Sequence, residues 1–141
     1  RLAVGYTDGL VRILDTKNWT VLGILDEGAS NPTAKPSSVT SIAFDARQDI
    51  LIVGNVQGSV SVWKLQGFTY SSQRRVSQEA VAHITVMPRH NCFFTLSVRG
   101  NLMCWRAENK VDAHYLSQAT NVFDVEMELY AKHLPHSRPP K

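Results

Sequence analysis

The sequence predicts an all-β protein built from repeated four-stranded antiparallel sheets. Two segments carry this prediction, because Val39–Lys64 aligns with Val81–Arg106 without a gap, at an offset of 42 residues. Trp63 falls on Trp105, and the two segments share a similar pattern of apolar residues along the 26-residue alignment. A repeat of about 40–45 residues is the length of one sheet in a repeat array with four strands per unit.

Partial copies of the same repeat lie at both ends of the chain. Leu2–Asp15 matches Leu51–Lys64 at an offset of 49 residues and lacks the first strand of the repeat. Near the other end, Val122, Val125 and Met127 keep the spacing of the apolar residues in that first strand. Because several of the apolar residues in this segment also fit one face of a helix, a C-terminal helix remains the alternative.

Each copy has the chemistry of short strands joined by tight turns. Val60 and Val62 alternate with Ser61, whereas Leu51–Val53 is apolar throughout and suits a strand covered on both faces. A glycine between the second and third strands of each copy supplies the positive φ that a hairpin turn needs. The outer strands are predicted at Thr20–Ile24, at Leu65–Tyr70 and, for the third copy, near Ala113–Leu116.

The sequence resembles the WD-repeat family. The resemblance rests on Trp63-Lys64, Trp105-Arg106 and Leu14-Asp15 at the position of the Trp-Asp dipeptide, and on Asp8 in the tight turn. It implies a partial β-propeller of about three four-stranded antiparallel blades and the first strand of a fourth. The repeat-signature residues expected to have structural roles are Asp8, Gly9, Leu14, Asp15, Gly58, Trp63, Gly100 and Trp105.

The copies depart from the family pattern in their polar residues. No Gly-His dipeptide precedes a repeat, and Gln57 and Arg99 replace the turn aspartate. We therefore expect the hydrogen-bond network of regular blades to be missing and packing alone to hold the blades. The predicted organisation is 1–26, a blade lacking its first strand; 27–38, an inter-blade loop; 39–72, the second blade; 73–80, a basic linker loop; 81–118, the third blade; 119–132, a first strand or helix; and 133–141, a flexible tail.

Three blades and one extra strand cannot close a ring, because propellers use about 4–8 blades. A blade cannot bury both faces alone, so an unstacked outer blade would expose a large apolar patch. The chain also starts inside a strand, at Arg1–Val4. We expect the remaining blades to come from a longer parent protein or from another chain.

Residues typical of active sites are scattered through the sequence and form no recognisable constellation. His133 and His136 form H-x-x-H without a nearby cysteine or acidic third ligand. Cys92 and Cys104 fall on apolar positions of the repeat, which indicates that both are buried thiols in a protein of a reducing compartment. The sequence therefore predicts no catalytic residue, metal or cofactor and no membrane span. It predicts a cytoplasmic scaffold that binds other proteins or peptides, with a cytoskeletal or ciliary setting as the narrower expectation.

Two other functions are open from the sequence. RNA or an anionic lipid could bind basic residues at Arg12, Arg74, Arg75, Lys132 and Arg138, although a net charge of +3 without a long basic run makes either partner less expected. The chain could also be an accessory propeller of a larger enzyme. Candidate partner-binding residues are Arg12, Lys35, Arg74 and Arg75. Ser77 completes R-R-x-S and is a candidate phosphoacceptor in an exposed, mobile loop, with an unmodified basic loop as the alternative.

Overall fold

The computed structural model describes residues 1–30, 33, 35–87, 89 and 92–106, and these residues form three antiparallel β-sheets. One four-residue helix, α1 (Glu27–Ser30), follows the first sheet. The all-β prediction is confirmed. The predicted strand near Ala113–Leu116, the segment 119–132 and the tail 133–141 lie outside the described residues.

The first sheet contains three strands in the order β1-β2-β3. Strand β1 is in register with β2 from Leu2 opposite Leu14 to Gly5 opposite Val11. In the described part of the chain β1 pairs with β2 alone. The strands are β1 (Leu2–Gly5), β2 (Val11–Leu14) and β3 (Val21–Leu25).

The second sheet has four strands in the order β4-β5-β6-β7, and the third has three in the order β8-β9-β10. Equivalent strands in these two sheets keep the 42-residue offset of the sequence repeat, from β4 to β8 and from β5 to β9. The strands of the second sheet are β4 (Val39–Asp45), β5 (Ile50–Asn55), β6 (Ser59–Lys64) and β7 (Thr69–Arg75). Those of the third are β8 (Val81–Met87), β9 (Cys92–Ser97) and β10 (Leu102–Arg106).

The outer strand of the second sheet was wrongly placed at Leu65–Tyr70. A short 3-10 turn at Gln66–Phe68 reverses the chain there, with Gly67 at a φ of 74°. Strand β7 then runs on to Arg75, because its backbone pairs with β6 as far as Ser59. The predicted linker 73–80 therefore starts too early by three residues, and the predicted loop 27–38 includes α1.

Two apolar seams join the three sheets face to face. We call the seam between the first and second sheets the first seam and the other the second seam. The run at Leu51–Val53 contributes to both, as expected for a strand covered on each face. The first seam contains Val11, Ile13, Leu25, Leu51, Val53, Trp63 and Leu65. The second contains Ile50, Ile52, Val60, Val62, Val76, Val81, Ile84, Phe93 and Trp105.

A glycine in each seam lets the next sheet approach closely, and we call this contact the glycine joint. A Cβ at Gly54 would lie 2.8 Å from Cγ1 of Val81 and 3.2 Å from Cδ1 of Ile84. At the equivalent Gly5, a Cβ would lie 2.8 Å from Cβ of Val39 and 3.1 Å from Cδ1 of Ile42. In each seam, therefore, a valine and the isoleucine three residues later occupy the space beside the glycine. These are Val39 and Ile42 of β4 in the first seam, and Val81 and Ile84 of β8 in the second.

The third sheet has a different residue at this position. Leu96 in β9 aligns with Gly54 in β5, at the 42-residue offset. Its side chain is half-buried. A leucine there removes the space that the two glycines leave for a neighbouring valine, so the third sheet does not offer the same glycine joint.

We expect Gly54→Ala to lower the free energy of unfolding by about 1–3 kcal/mol, because the added methyl overpacks the second seam. Urea unfolding followed by circular dichroism measures this change. Val81→Ala removes the atoms that the new methyl would meet, so the double variant should be less destabilised than the sum of the two single variants.

Gly28→Ala is the matched control, because the nearest atom to a Cβ there is Oδ1 of Asp26 at 3.3 Å, on an exposed segment. This change should stay within about 0.5 kcal/mol of the wild type. Equal losses at Gly28 and Gly54, or strict additivity with Val81→Ala, would show that the glycine joint is not a specific contact.

Candidate protein-interaction surface

One end of the three sheets collects their tight turns and the segments that link them, and we call it the linker end. Each turn joins the second and third strands of its copy, at residues 6–10, 55–59 and 97–101. The linkers 26–38 and 76–80 lead into β4 and β8 at the same end. Equivalent backbone hydrogen bonds join linker to turn in the second and third blades. Val56 N donates to Ser38 O at 2.9 Å, and Val98 N donates to Ala80 O at 3.0 Å.

The three predicted turn glycines all adopt the left-handed conformation. Gly9, Gly58 and Gly100 have φ values of 90°, 90° and 89°. Each donates its amide to the carbonyl oxygen three residues earlier, at 3.1, 3.2 and 2.9 Å. A side chain at this φ is strained, so these positions require glycine.

Polar side chains close the turns in a different way in each copy. Asp8 Oδ1 accepts the amide two residues later at 3.1 Å. In the second copy Asn55 Oδ1 accepts the amides two and four residues later, both at 3.0 Å. In the third, Ser97 Oγ accepts the amide four residues later at 3.1 Å. Asn55 and Ser97 thus replace the aspartate that the second and third turns lack.

The third blade also has a network that the sequence analysis missed. The carboxylate of Glu79, in the linker, accepts from Ser97 Oγ at 2.8 Å and from Asn101 Nδ2 at 2.6 Å. These bonds join the linker to the turn of the same blade. Packing is therefore not the sole interaction that holds the third blade, because other residues supply hydrogen bonds there. Glutamate, serine and asparagine are common residue types, so no motif in the sequence marks Glu79, Ser97 and Asn101. Only the fold brings Glu79 close to Ser97.

Ser77 lies in the same linker, in a different setting from the one predicted. Its side chain is half-buried, its hydroxyl donates to the carbonyl oxygen of Glu79, and its amide donates to Gly58 O at 3.1 Å. The segment is packed against the Gly58 turn. The expectation of an exposed, mobile acceptor is thus not met, because a kinase would first have to detach this segment. Phosphorylation of Ser77 stays a prediction.

The two tryptophans of the repeat signature lie in the seams. Trp63 is in the first seam, where Nε1 donates to Ser61 Oγ at 3.2 Å and the ring contacts Tyr70 edge to face at 5.3 Å. Trp105 is in the second seam, and its Nε1 donates to Thr95 Oγ1 at 2.9 Å. Both indole N–H groups therefore have a hydrogen-bond acceptor within their own seam, and a structural role for these residues stays a prediction.

The remaining signature pair ends the second strand of the first sheet. Asp15 Oδ1 accepts the amide of Lys17 at 2.8 Å, and the Asp15 backbone bonds to Thr20 and Trp19. These bonds fix the turn into β3. Leu14 is half-buried on the sheet face that points away from the first seam.

The candidate basic residues are distributed over two sheets and the first linker. Arg12 lies over the ring of Tyr6 at 4.5 Å in the first blade. Arg74 lies over the ring of Trp105 at 5.3 Å, where it bridges the second and third blades. Arg75 ends β7 and Lys35 lies in the first linker, both exposed. Lys132 and Arg138 lie outside the described residues.

One face of the first sheet is apolar and uncovered, and we call it the first-blade face. Val21, Ile24 and Leu2 are 52%, 51% and 43% exposed. The opposite face of the same sheet is buried in the first seam, with Ile13 at 0%. By strand register the first-blade face contains Leu2, Val4, Arg12, Leu14, Val21 and Ile24.

Apolar side chains are also exposed at the linker end. Val56 and Val98 occupy equivalent positions in two turns and are 48% and 62% exposed, while Tyr6 is 36% exposed in the first turn. Their backbones are held by the turn and linker bonds described above. The linker end therefore presents apolar side chains on fixed backbone, an arrangement suited to binding another protein.

We expect Glu79→Ala to lower the free energy of unfolding by about 1–2 kcal/mol, because Ser97 and Asn101 lose a charged acceptor. Gln78→Ala is the matched control at the exposed neighbouring position and should have little effect. Thermal and urea unfolding measure both changes. If Glu79→Ala were as mild as its control, the network would contribute nothing to the blade.

The described residues give no sign of a membrane helix or a metal centre. No helix among them has the length and apolar character to cross a membrane. Across the same residues, no three His, Cys, Asp or Glu side chains group as metal ligands would.

Comparisons with known proteins give one curated relative and several structural neighbours. No family model matches the chain. The probable cytosolic iron-sulfur protein assembly protein 1 of Kluyveromyces lactis is 26% identical over 83 residues. The match covers 59% of this chain and 23% of that protein, so the chain spans about a quarter of the relative's length.

Solved structures match the described sheets. The β-propeller domain of Cps50 (Swd1) from Myceliophteria thermophila superimposes with a TM-score of 0.61 at 21% identity, over 74% of this chain and 31% of that one. Sqt1 of Saccharomyces cerevisiae gives 0.61 at 15% identity, over 74% and 26%. The computationally designed protein Ika4 gives 0.60 at 19% identity, over 74% and 58%. The described sheets have the fold of successive β-propeller blades, and their sequence repeat resembles that of WD-repeat proteins.

Proposed function

We propose that this chain is a non-catalytic protein-interaction scaffold, that it forms part of a larger cytoplasmic β-propeller, and that its linker end binds the partner. The observation that carries the proposal is the repeated exposure of apolar side chains on hydrogen-bonded turns. Val56 and Val98 stand at the same place in successive blades, so a partner lying across the linker end could contact both.

A protein partner fits this surface better than a nucleic acid or a lipid headgroup. Phosphate-binding surfaces need converging lysine and arginine side chains. In the described residues Arg12 and Arg74 lie over aromatic rings on different blades. Exposed valine and tyrosine instead contribute apolar area, which supports docking of a protein or peptide.

The first-blade face supports the assignment to a larger propeller. Monomeric proteins rarely expose continuous apolar patches of this kind, whereas each seam in this chain covers a comparable sheet face. Another blade, from the same protein or from a second chain, would bury Leu2, Val21 and Ile24 as the first seam buries Val11, Ile13 and Leu25.

The proposed cytoplasmic location has two supports. The curated relative is described as a cytosolic assembly protein. Cys92 and Cys104 are buried thiols without a disulfide, as is usual in a reducing compartment. A cytoskeletal or ciliary setting stays a prediction.

We expect the double variant Val56→Asp and Val98→Asp to lose its protein partners while it stays folded, because both positions are exposed turns. Affinity purification of the natural full-length protein, with quantitative mass spectrometry of what is retained, measures the loss. Gln57→Asp is the matched control, since it adds a charge at an exposed position of the same turn without removing an apolar group. Undiminished capture by the double variant, or equal loss with Gln57→Asp, would contradict a partner on these valines.

We expect residues 1–141 expressed alone to self-associate and to bind the dye ANS, because the first-blade face lacks its neighbour. Val21→Thr with Ile24→Thr should reduce both effects, whereas Val98→Thr, the same change at an exposed turn, should not. Analytical ultracentrifugation and ANS fluorescence measure them. A wild-type chain that is a soluble, cooperatively melting monomer would contradict the need for further blades.

A further inference from the structure

A small cavity lies in the first seam at the linker end. Its volume is about 20 Å³, and its lining includes Glu27, Ser37, Asn55, Ser61 and Trp63. A cavity of this volume holds one group of about the size of a water molecule. Its walls come from both sheets of the first seam and from the linker between them.

Two buried oxygens in this lining have no hydrogen-bond partner. They are Oε1 of Glu27, in α1, and Oγ of Ser37, in the following loop. Buried polar atoms are nearly always satisfied in native proteins, so an unsatisfied pair beside a cavity indicates a bound group. The other polar side chains of the lining are engaged, since Asn55 accepts two backbone amides and Ser61 accepts from Trp63.

The charge of the side chains that line the cavity indicates which kind of group would bind there. Glu27 is the one titratable side chain among the described residues that line it, and no lysine or arginine is among them. Burial raises the pKa of the Glu27 carboxyl above its ordinary value, because the ionised form loses hydration without gaining a counter-charge. Water can satisfy the same two oxygens, whereas a cationic donor also offsets the charge of the ionised carboxylate. Calcium needs six to eight oxygen ligands, more than the two free oxygens here supply.

We propose that this cavity binds an ammonium group, as carried at the tip of a lysine side chain of a protein docked on the linker end. The ammonium donates to Glu27 Oε1 and to Ser37 Oγ, and its charge neutralises the carboxylate. Its size is close to that of water, which the cavity volume admits. The lysine part of the inference rests on the proposed function, since it requires a protein partner at the linker end.

A carboxyl titration on the natural full-length protein tests the site without a partner. The pKa of Glu27 is followed by carbon-13 NMR of its carboxyl carbon in ammonium chloride, sodium chloride and tetramethylammonium chloride at equal ionic strength. An ammonium ion binds only the ionised carboxylate, so the pKa should fall in ammonium chloride relative to both other salts. Tetramethylammonium has the same charge but no N–H donors, so it controls for screening. The same pKa in all three salts would overturn the site.

Glu27→Gln is the matched variant, because the amide keeps the shape of the side chain and removes its charge. Backbone amide shifts of Gly9 and Ser37, recorded while ammonium chloride is added, should report binding at least tenfold weaker in the variant than in the wild type. Equal binding by both proteins would overturn the role of the carboxylate.

A second ligand distinguishes free ammonium from a lysine side chain. Nα-acetyl-lysine N-methylamide should lower the pKa of Glu27 as ammonium does, while the same compound acetylated on Nε should not. An effect of ammonium without an effect of the lysine compound would overturn the lysine assignment. These readouts need no partner protein, so they are independent of the capture experiment with Val56 and Val98.

Discussion

The structure depends on how closely one sheet can approach the next. At the glycine joint the first strand of a blade brings a valine and an isoleucine against bare backbone, at Gly5 and again at Gly54. This contact sets the separation at which the rest of each seam packs. The seams bury both faces of the central sheet, which no blade could do alone.

Much of this fold could be predicted because its information is local and periodic. The repeat of Val39–Lys64 at Val81–Arg106 is enough to predict the order of the first three strands in both copies. The turn glycines at 9, 58 and 100 were identifiable because a tight hairpin turn requires a positive φ at one place. Trp63 and Trp105 could be paired with each other from the alignment alone, and both side chains lie in the seams.

The features that sequence reasoning missed depend on contacts between distant residues. Strand β7 is polar and lacks alternation, so only its pairing with β6 shows that it reaches Arg75. The bond between Glu79 and Ser97 joins ordinary polar residues that no motif marks. The cavity is lined by residues from two sheets together with Glu27 and Ser37, and nothing in residues 27–38 taken alone indicates it.

Leu96 makes the order of the blades directional. A copy of the second blade could in principle follow another copy of itself, since Gly54 would again receive a valine. A circularly permuted or shuffled array that set the third blade ahead of the second would bring Leu96 against Val39, and both side chains would need the same volume. The modules of this chain are therefore not interchangeable, although their strands follow one repeat.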